Sequence, residues 1–349
     1  MAQIKKMKSE KEVVPAPEEG LSALQTAAAR GHYSNVQLRL REANYPEFTD
    51  CGPQSWTALH FAAREGHTEV LSLLLDSVDY MARATIDVAV VNFPHALVRG
   101  CTPLHLAAYQ GDESVASLLL RSEAFHPFVD AYCERVNEPP GRLQDEGADA
   151  LQLMASSGME ESVRLYLESR EQREPGLAPR LGAVRFAAFA GHDRVMALLI
   201  AHPSIDTRAE LEHAPPDGLG NAFHLACSQG HTSVVQYILA LDCCDAAVNA
   251  LTGKEKKTSA LQLALFHRHS DIALCLLQSK SFNAVNAVDH NGLTALNLAC
   301  AWQLEEIACD IIRDPRFTKH RHPYSNGKTA LMLAKELKLH LVSEALAQF

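Results

Sequence analysis

The amino-acid sequence predicts an all-α repeat solenoid of stacked helix-turn-helix units, joined by β-hairpin or loop fingers of which some are elongated. Three observations predict it. The stretch Thr102–Leu120 encodes two short helices back to back, its pattern recurs nine times between residues 21 and 349, and the recurrences lie 33 to 47 residues apart, so the helix pair is constant while the connections vary.

Thr102 is a natural N-cap, and Pro103 sits at the first helical position, where a missing N–H costs nothing. Leu104, Ala107 and Ala108 then fall on one apolar face. Gly111 stands where the chain needs a left-handed residue to leave the helix. Asp112 can cap the second helix, whose apolar face is expected from Val115, Leu118 and Leu119. The small alanines let the two helices approach closely.

Composition bounds the alternatives. A chain of 349 residues, 47% hydrophobic and 21% charged, is a folded protein long enough for two compact domains or one extended array. Its net charge of −10 disfavours nucleic acid, whose binding draws on clustered Lys and Arg. No run approaches a membrane span, and residues 1–20 lack the apolar segment of a signal peptide, which points to an intracellular protein, cytoplasmic or else nuclear. The nine cysteines are scattered without a Cys-x-x-Cys pair, and Cys227, Cys275 and Cys300 occupy apolar helix positions, as reduced packing residues would.

In chain order, residues 1–20 read as a disordered tail and residues 21–349 as the array. Its helix-start positions are Ser22, Thr57, Thr102, Asp149, Gly182, Asn221, Ser259, Thr294 and Thr329. Thr57–His67 and Asn221–His231 align without gaps to Thr102–Asp112. With its Thr-Pro-Leu-His-Leu-Ala core, the chain resembles the ankyrin-repeat proteins, whose unit is a finger followed by two antiparallel helices. Val285–Leu296 looks like the family's finger leading into the next helix, and Val248–Ala250 like a partial one.

Departures from the pattern fall in two places. The last three copies put Arg268, Gln303 and Lys338 where the first six have the turn glycine, so a reshaped turn is expected there. Copies four and five lack the signature Thr and His. The connections 76–100 and 121–148 are long; Thr85–Asn92 has the composition of an extended strand, and Glu138–Gly141 and Ala214–Gly220 that of loops.

Chemistry-bearing motifs are missing: the sequence has no phosphate-cradling glycine loop, no His-Glu-x-x-His and no Gly-x-Ser-x-Gly. His267, His269, His320 and His322 are candidate zinc ligands by residue type, but no cluster has a four-ligand spacing, so neither metal nor cofactor is expected, and no small-molecule substrate. His60, His105 and His224 at helix starts, and His32, His67, His192 and His231 after the turn, resemble structural hydrogen-bonding residues. Glu160–Glu161 and the run Arg170–Glu174 read as solvated helix surface.

The resemblance implies a non-enzymatic scaffold that binds a protein partner through a concave groove and the finger loops. By family geometry the two residues before each inter-helix turn face that groove. Among them Tyr109, Gln110, Phe189, Phe266, His267 and Trp302 are the partner-binding candidates, aromatics being scarce at 6% of the chain and enriched at interface hot spots. The competing reading packs these aromatics beneath elongated fingers. Arg313, Arg316, Lys319, Arg321 and Lys328 form a basic finger that suits an acidic or phosphorylated partner, or is a solvated loop. Asn249 and Asn286 match the finger asparagine that is hydroxylated in some family members. Two rival classes remain: an enzyme with a cryptic site in 121–180, and a membrane-skeleton adaptor whose lysine-rich tail touches anionic lipid.

Overall fold

The computed structural model describes residues 20–41, 56–84, 89–93, 96–130, 134–136, 149–173, 181–215, 218–253, 257–324 and 327–349. The expected tail, apart from Gly20, and the loop Glu138–Gly141 lie outside them.

Nine helix pairs occur among the described residues, each leading helix starting one residue after its predicted start position. The pairs are Ala23–Ala29 with Tyr33–Leu40, Ala58–Arg64 with Thr68–Leu75, Pro103–Gln110 with Glu113–Arg121, Ala150–Ser156 with Glu160–Arg173, and Ala183–Ala190 with Asp193–Ala201. They continue with Ala222–Gln229 and Thr232–Leu239, Ala260–Phe266 and Ser270–Gln278, Ala295–Ala301 and Glu305–Arg313, and Ala330–Glu336 and His340–Leu346. Copies one to three form one compact unit and copies four to nine a second.

In the first unit the connection after copy two folds into a short helix, Val78–Met81, and a hairpin of β1 (Ala89–Phe93) and β2 (Ala96–Cys101). β3 (Glu134–Val136), from the connection after copy three, adds antiparallel to β2 and completes a three-stranded sheet in the order β1-β2-β3. The strand expected over Thr85–Asn92 is thus observed as Ala89–Phe93; residues 85–88 lie outside the described ones. Tyr80 is fully buried, and its hydroxyl accepts from the Leu59 N–H at 2.9 Å, tying the insertion to the leading helix of copy two. In the trailing helix of copy three the buried face is Val115, Ala116, Leu119 and Leu120. Leu118, expected inside, instead is half-buried and lines a groove with Ser72 and Leu75 of the preceding trailing helix.

The second unit stacks the atypical copies four and five as regular helix pairs. Asp245–Asn249 is helical, which corrects the reading of Val248–Ala250 as a finger: the finger proper starts at Thr252, whose N–H donates to the Thr258 carbonyl at 2.9 Å. The finger expected at 285–296 is present, its turn closed by Asp289, whose carboxylate accepts from the Asn291 and Leu293 N–H groups.

The stacking has a polar spine. In five of the nine copies the third residue of the leading helix donates to the backbone of the next copy: Gln25 to Trp56 O at 3.0 Å, His60 to Cys101 O at 3.1 Å, Gln152 to Leu181 O at 2.9 Å, Arg185 to Gly220 O at 2.9 Å, and Gln262 to Leu293 O at 2.6 Å. Every one of those acceptors is the carbonyl just ahead of the next helix-capping residue. His224 makes the variant bond, to Ala250 O at 3.0 Å. The same side chains serve their own helix: His60 Nδ1 accepts from the Thr57 N–H, and Gln262 Oε1 from the Ser259 N–H. An imidazole with an accepting Nδ1 carries its proton on Nε2, so the tautomer suits both bonds. Arg185 can only donate, and in copy five the Gly182 N–H is met instead by Glu210, buried on the inserted helix Thr207–Glu212. Asn297, one methylene shorter than glutamine, is fully buried, and its Nδ2 finds no acceptor among the described residues.

Two outcomes test the spine. Gln262→Asn should shorten the reach and cost about 1 to 2 kcal/mol, whereas Asn297→Gln should extend it and gain about 1 kcal/mol, both read from urea unfolding midpoints. The second concerns pH. Burial drives the His224 pKa down to about 4 against the opposing pull of its bond to Ala250. The unfolded chain takes up that proton near pH 6.5 and the folded chain does not, so stability is full above pH 6.5 and falls as the pH drops to about 4, by about 3 kcal/mol. His224→Gln should remove that component of the pH profile.

Candidate functional site

Each leading helix ends with two residues before the turn, and the structure distributes the candidates at these positions unevenly. In the first unit Tyr109 is 40% exposed and Gln110 is exposed beside it. In the second unit Phe189 is half-buried, Phe266 is 55% exposed, His267 is exposed and Trp302 is half-buried. The leading helices of copies seven and eight lie side by side, which brings the Phe266 and Trp302 rings edge to face at 6.1 Å. His267 stands edge-on to Phe266 at 5.2 Å, and desolvation together with the neighbouring His269 ring lowers its pKa. Phe266, His267 and Trp302 therefore form one cluster. Phe189, two copies away, belongs to no ring contact among the described residues.

Sequence reasoning missed Arg268. It was read only as a substitute for the turn glycine, yet its guanidinium lies 4.5 Å from the centre of the Trp302 ring, a cation–π contact. The signal was a cation two positions after Phe266, in a copy followed by one that carries Trp302 just before its turn.

The turns of copies seven to nine are not reshaped, contrary to the expectation: Arg268, Gln303 and Lys338 hold φ of 64°, 58° and 58°, the left-handed conformation that Gly191 and Gly230 adopt at 82° and 85°. The neighbouring copy explains why glycine is dispensable there. The histidine after the turn bonds back to the previous copy, His67 to Ala29 O at 3.0 Å, His192 to Ser156 O at 3.1 Å, His231 to Phe189 O at 2.9 Å and His269 to Ser228 O at 3.1 Å. Its ring then lies on the preceding glycine, so that a Cβ at Gly191 would stand 2.4 Å from His231. After Arg268 and Gln303 the corresponding residues are Leu304 and Leu339. With no imidazole above the turn a side chain fits, at the cost of left-handed strain.

The basic finger divides. Arg316 is a correction: it is paired with Asp314 at 2.6 Å and donates to the Ser279 and Phe282 carbonyls at 2.8 and 2.6 Å, pinning the end of the copy-seven trailing helix rather than facing a partner. That pairing raises the Arg316 pKa and lowers that of Asp314. Arg313 and Arg321 are exposed, Arg313 at 3.5 Å from Asp310, and Lys319 is half-buried. Lys328 is ion-paired with Glu336 at 2.7 Å.

Asn249 and Asn286 are pins of the same kind. Asn249 donates to Ser281 O and accepts from the Ala284 N–H, and Asn286 donates to Arg316 O and accepts from the Thr318 N–H at 2.9 Å. Both carboxamides are fully used between successive connections.

Among the described residues no three His, Cys, Asp or Glu side chains converge as metal ligands would, and no helix is long and apolar enough to cross a membrane. Cys101, Cys227, Cys244, Cys300 and Cys309 are buried free thiols, Cys275 is half-buried, and burial pushes Cys300 up to about 12. Cys243 is exposed, unlike a packing residue. Glu160 and Glu161 open an exposed helix face on which Arg164 pairs with Glu161 at 2.6 Å and Glu168 at 2.8 Å.

A helix pair per copy, a left-handed turn and a finger define a class of repeat scaffold. The family described as ankyrin repeats (3 copies) matches residues 4–87, 24–130, 184–286 and 223–320, and the chain belongs to it. Copies four and nine lie outside the matched residues but form helix pairs as the others do. No curated protein matches the chain. Ankyrin repeats generally mediate protein–protein interaction, and proteins built from them are typically non-enzymatic.

If the left-handed side chains are strained, Gln303→Gly and Lys338→Gly should each raise stability by about 0.5 to 1 kcal/mol. Gly191→Ala should lower it by more than about 2 kcal/mol, through the clash with His231. Thermal unfolding of the three variants checks both signs.

Proposed function

We propose that this chain is a non-enzymatic, intracellular scaffold that holds a protein partner along the ends of its leading helices and its fingers. The observation that carries the reading is the Phe266–Trp302 pair: two large aromatics, one of them more than half exposed, fixed edge to face on adjacent helices. Rigid aromatics bind at low entropic cost because little freedom remains to be lost. Tyr109 with Gln110 offers a second, smaller contact in the first unit, and Phe189 a peripheral one. The fingers closed by Asp289 and by the Tyr324–Lys328 bond supply the edge of the surface. The described part of 121–180 is a 3₁₀ turn, β3 and a regular helix pair, which supports a scaffold over a catalytic cleft.

Phe266→Ala combined with Trp302→Ala tests this. Each should cost about 2 kcal/mol of binding, so that recovery of the bound protein falls by at least about thirtyfold, while circular dichroism and the unfolding midpoint stay near wild type. Undiminished recovery by a folded double variant would remove these aromatics as anchors.

A further inference from the structure

The aromatic pair lies in a part of the chain whose charge runs against the rest. Residues 257–349 hold ten Lys and Arg against eight Asp and Glu, in a chain of net charge −10. The acids there are mostly spent on the fold. Asp289 closes its own turn, Asp314 holds Arg316, Asp310 approaches Arg313, Glu336 pairs with Lys328, and Glu305 accepts from the Leu341 N–H at 2.7 Å. Asp271, Glu306 and Glu344 remain, the first two in the first turns of trailing helices, where the helix dipole favours them. The cations are not spent in the same way: Lys335 and Lys338 are exposed and make no ion pair among the described residues, and Arg268 is held by the Trp302 ring alone.

Placement adds to the count. Arg268 and Lys338 occupy equivalent turn positions of copies seven and nine, where a glycine would avoid the strain that both accept. The Trp302 Nε1–H, covered and without an acceptor among the described residues, is a further polar group that the fold leaves unanswered.

We propose that the partner is engaged through an extended acidic segment carrying one apolar side chain. The apolar side chain packs on Phe266 and Trp302, and flanking carboxylates meet Arg268 on one side and Lys335 and Lys338 on the other. The proposal rests on the scaffold reading above and names its ligand class. Charge sets orientation and partner choice, and the aromatic contact supplies most of the affinity. Arg is suited to the central place, since its planar guanidinium stacks on an indole while offering two donors to a carboxylate.

The test is selection of random decapeptides displayed on phage against the full chain, followed by anisotropy titration of the selected peptides in labelled form. The expected result is enrichment of Asp and Glu on both sides of an apolar residue, with binding weakened about tenfold or more between 50 and 300 mM NaCl. A triple Arg268→Gln, Lys335→Gln, Lys338→Gln variant, all at exposed positions, should lose a similar factor while unfolding normally. Failure to select any binder, selection without acidic enrichment, or equal binding by the folded triple variant would overturn the proposal. Neutral peptides that bind and are lost on Phe266→Ala would do so while leaving the scaffold reading intact. Should the triple variant be unstable, Lys338→Gly, which relieves strain as it removes the charge, gives the same reading by a smaller factor.

Discussion

The structure depends on one recurring hydrogen bond: in five of the leading helices a side chain three residues in donates to the carbonyl just before the next helix begins. Where such a carbonyl is buried between two packed copies, as at Trp56 and Cys101, leaving it unpaired would cost more than the bond itself returns. Gln25, His60 and Gln262 also accept from the N–H of their own helix cap. Where both bonds are made, one side chain caps its own helix and holds the next copy, so the two are linked through a single residue.

What the position requires is a donor and an acceptor on a side chain of fixed reach, and Gln and His both qualify. The exceptions are instructive because each leaves a visible consequence. Arg185 has no acceptor, and a buried Glu210 arrives from an inserted helix to supply it. Asn297 has both functions but is shorter, and one of its polar groups goes unanswered. The insertion at Thr207–Glu212 is therefore part of how copy five stacks.

A second series of bonds runs the other way, from the histidine that follows the turn in copies two, five, six and seven to the previous copy, and it constrains what surface the protein can present. Where the histidine is present the preceding turn is limited to glycine and is bare. Where leucine replaces it, in copies eight and nine, the preceding turns carry Arg268 and Gln303. The site and the scaffold are in this way the same decision, taken once per copy. Arg316 makes the complementary point: within one short basic run, the scaffold consumes one arginine and leaves Arg321 on the surface.

The sequence by itself determined the helix pairs, their starting residues and the position of each turn, because capping residues, alanine faces and left-handed glycines act over a few residues of chain. It also singled out Phe266, His267 and Trp302, since a repeat makes equivalent positions comparable. It did not reveal that β3 would join the hairpin of β1 and β2, that Arg316, Asn249 and Asn286 would be consumed by neighbouring connections, or that Arg268 would cover Trp302. Those outcomes depend on which groups from copies 30 to 40 residues apart meet in space, as the bonds from Asn249 to Ser281 and from Arg316 to Ser279 do. Only stacking fixes those distances, and the short-range chemistry of the chain is silent about them.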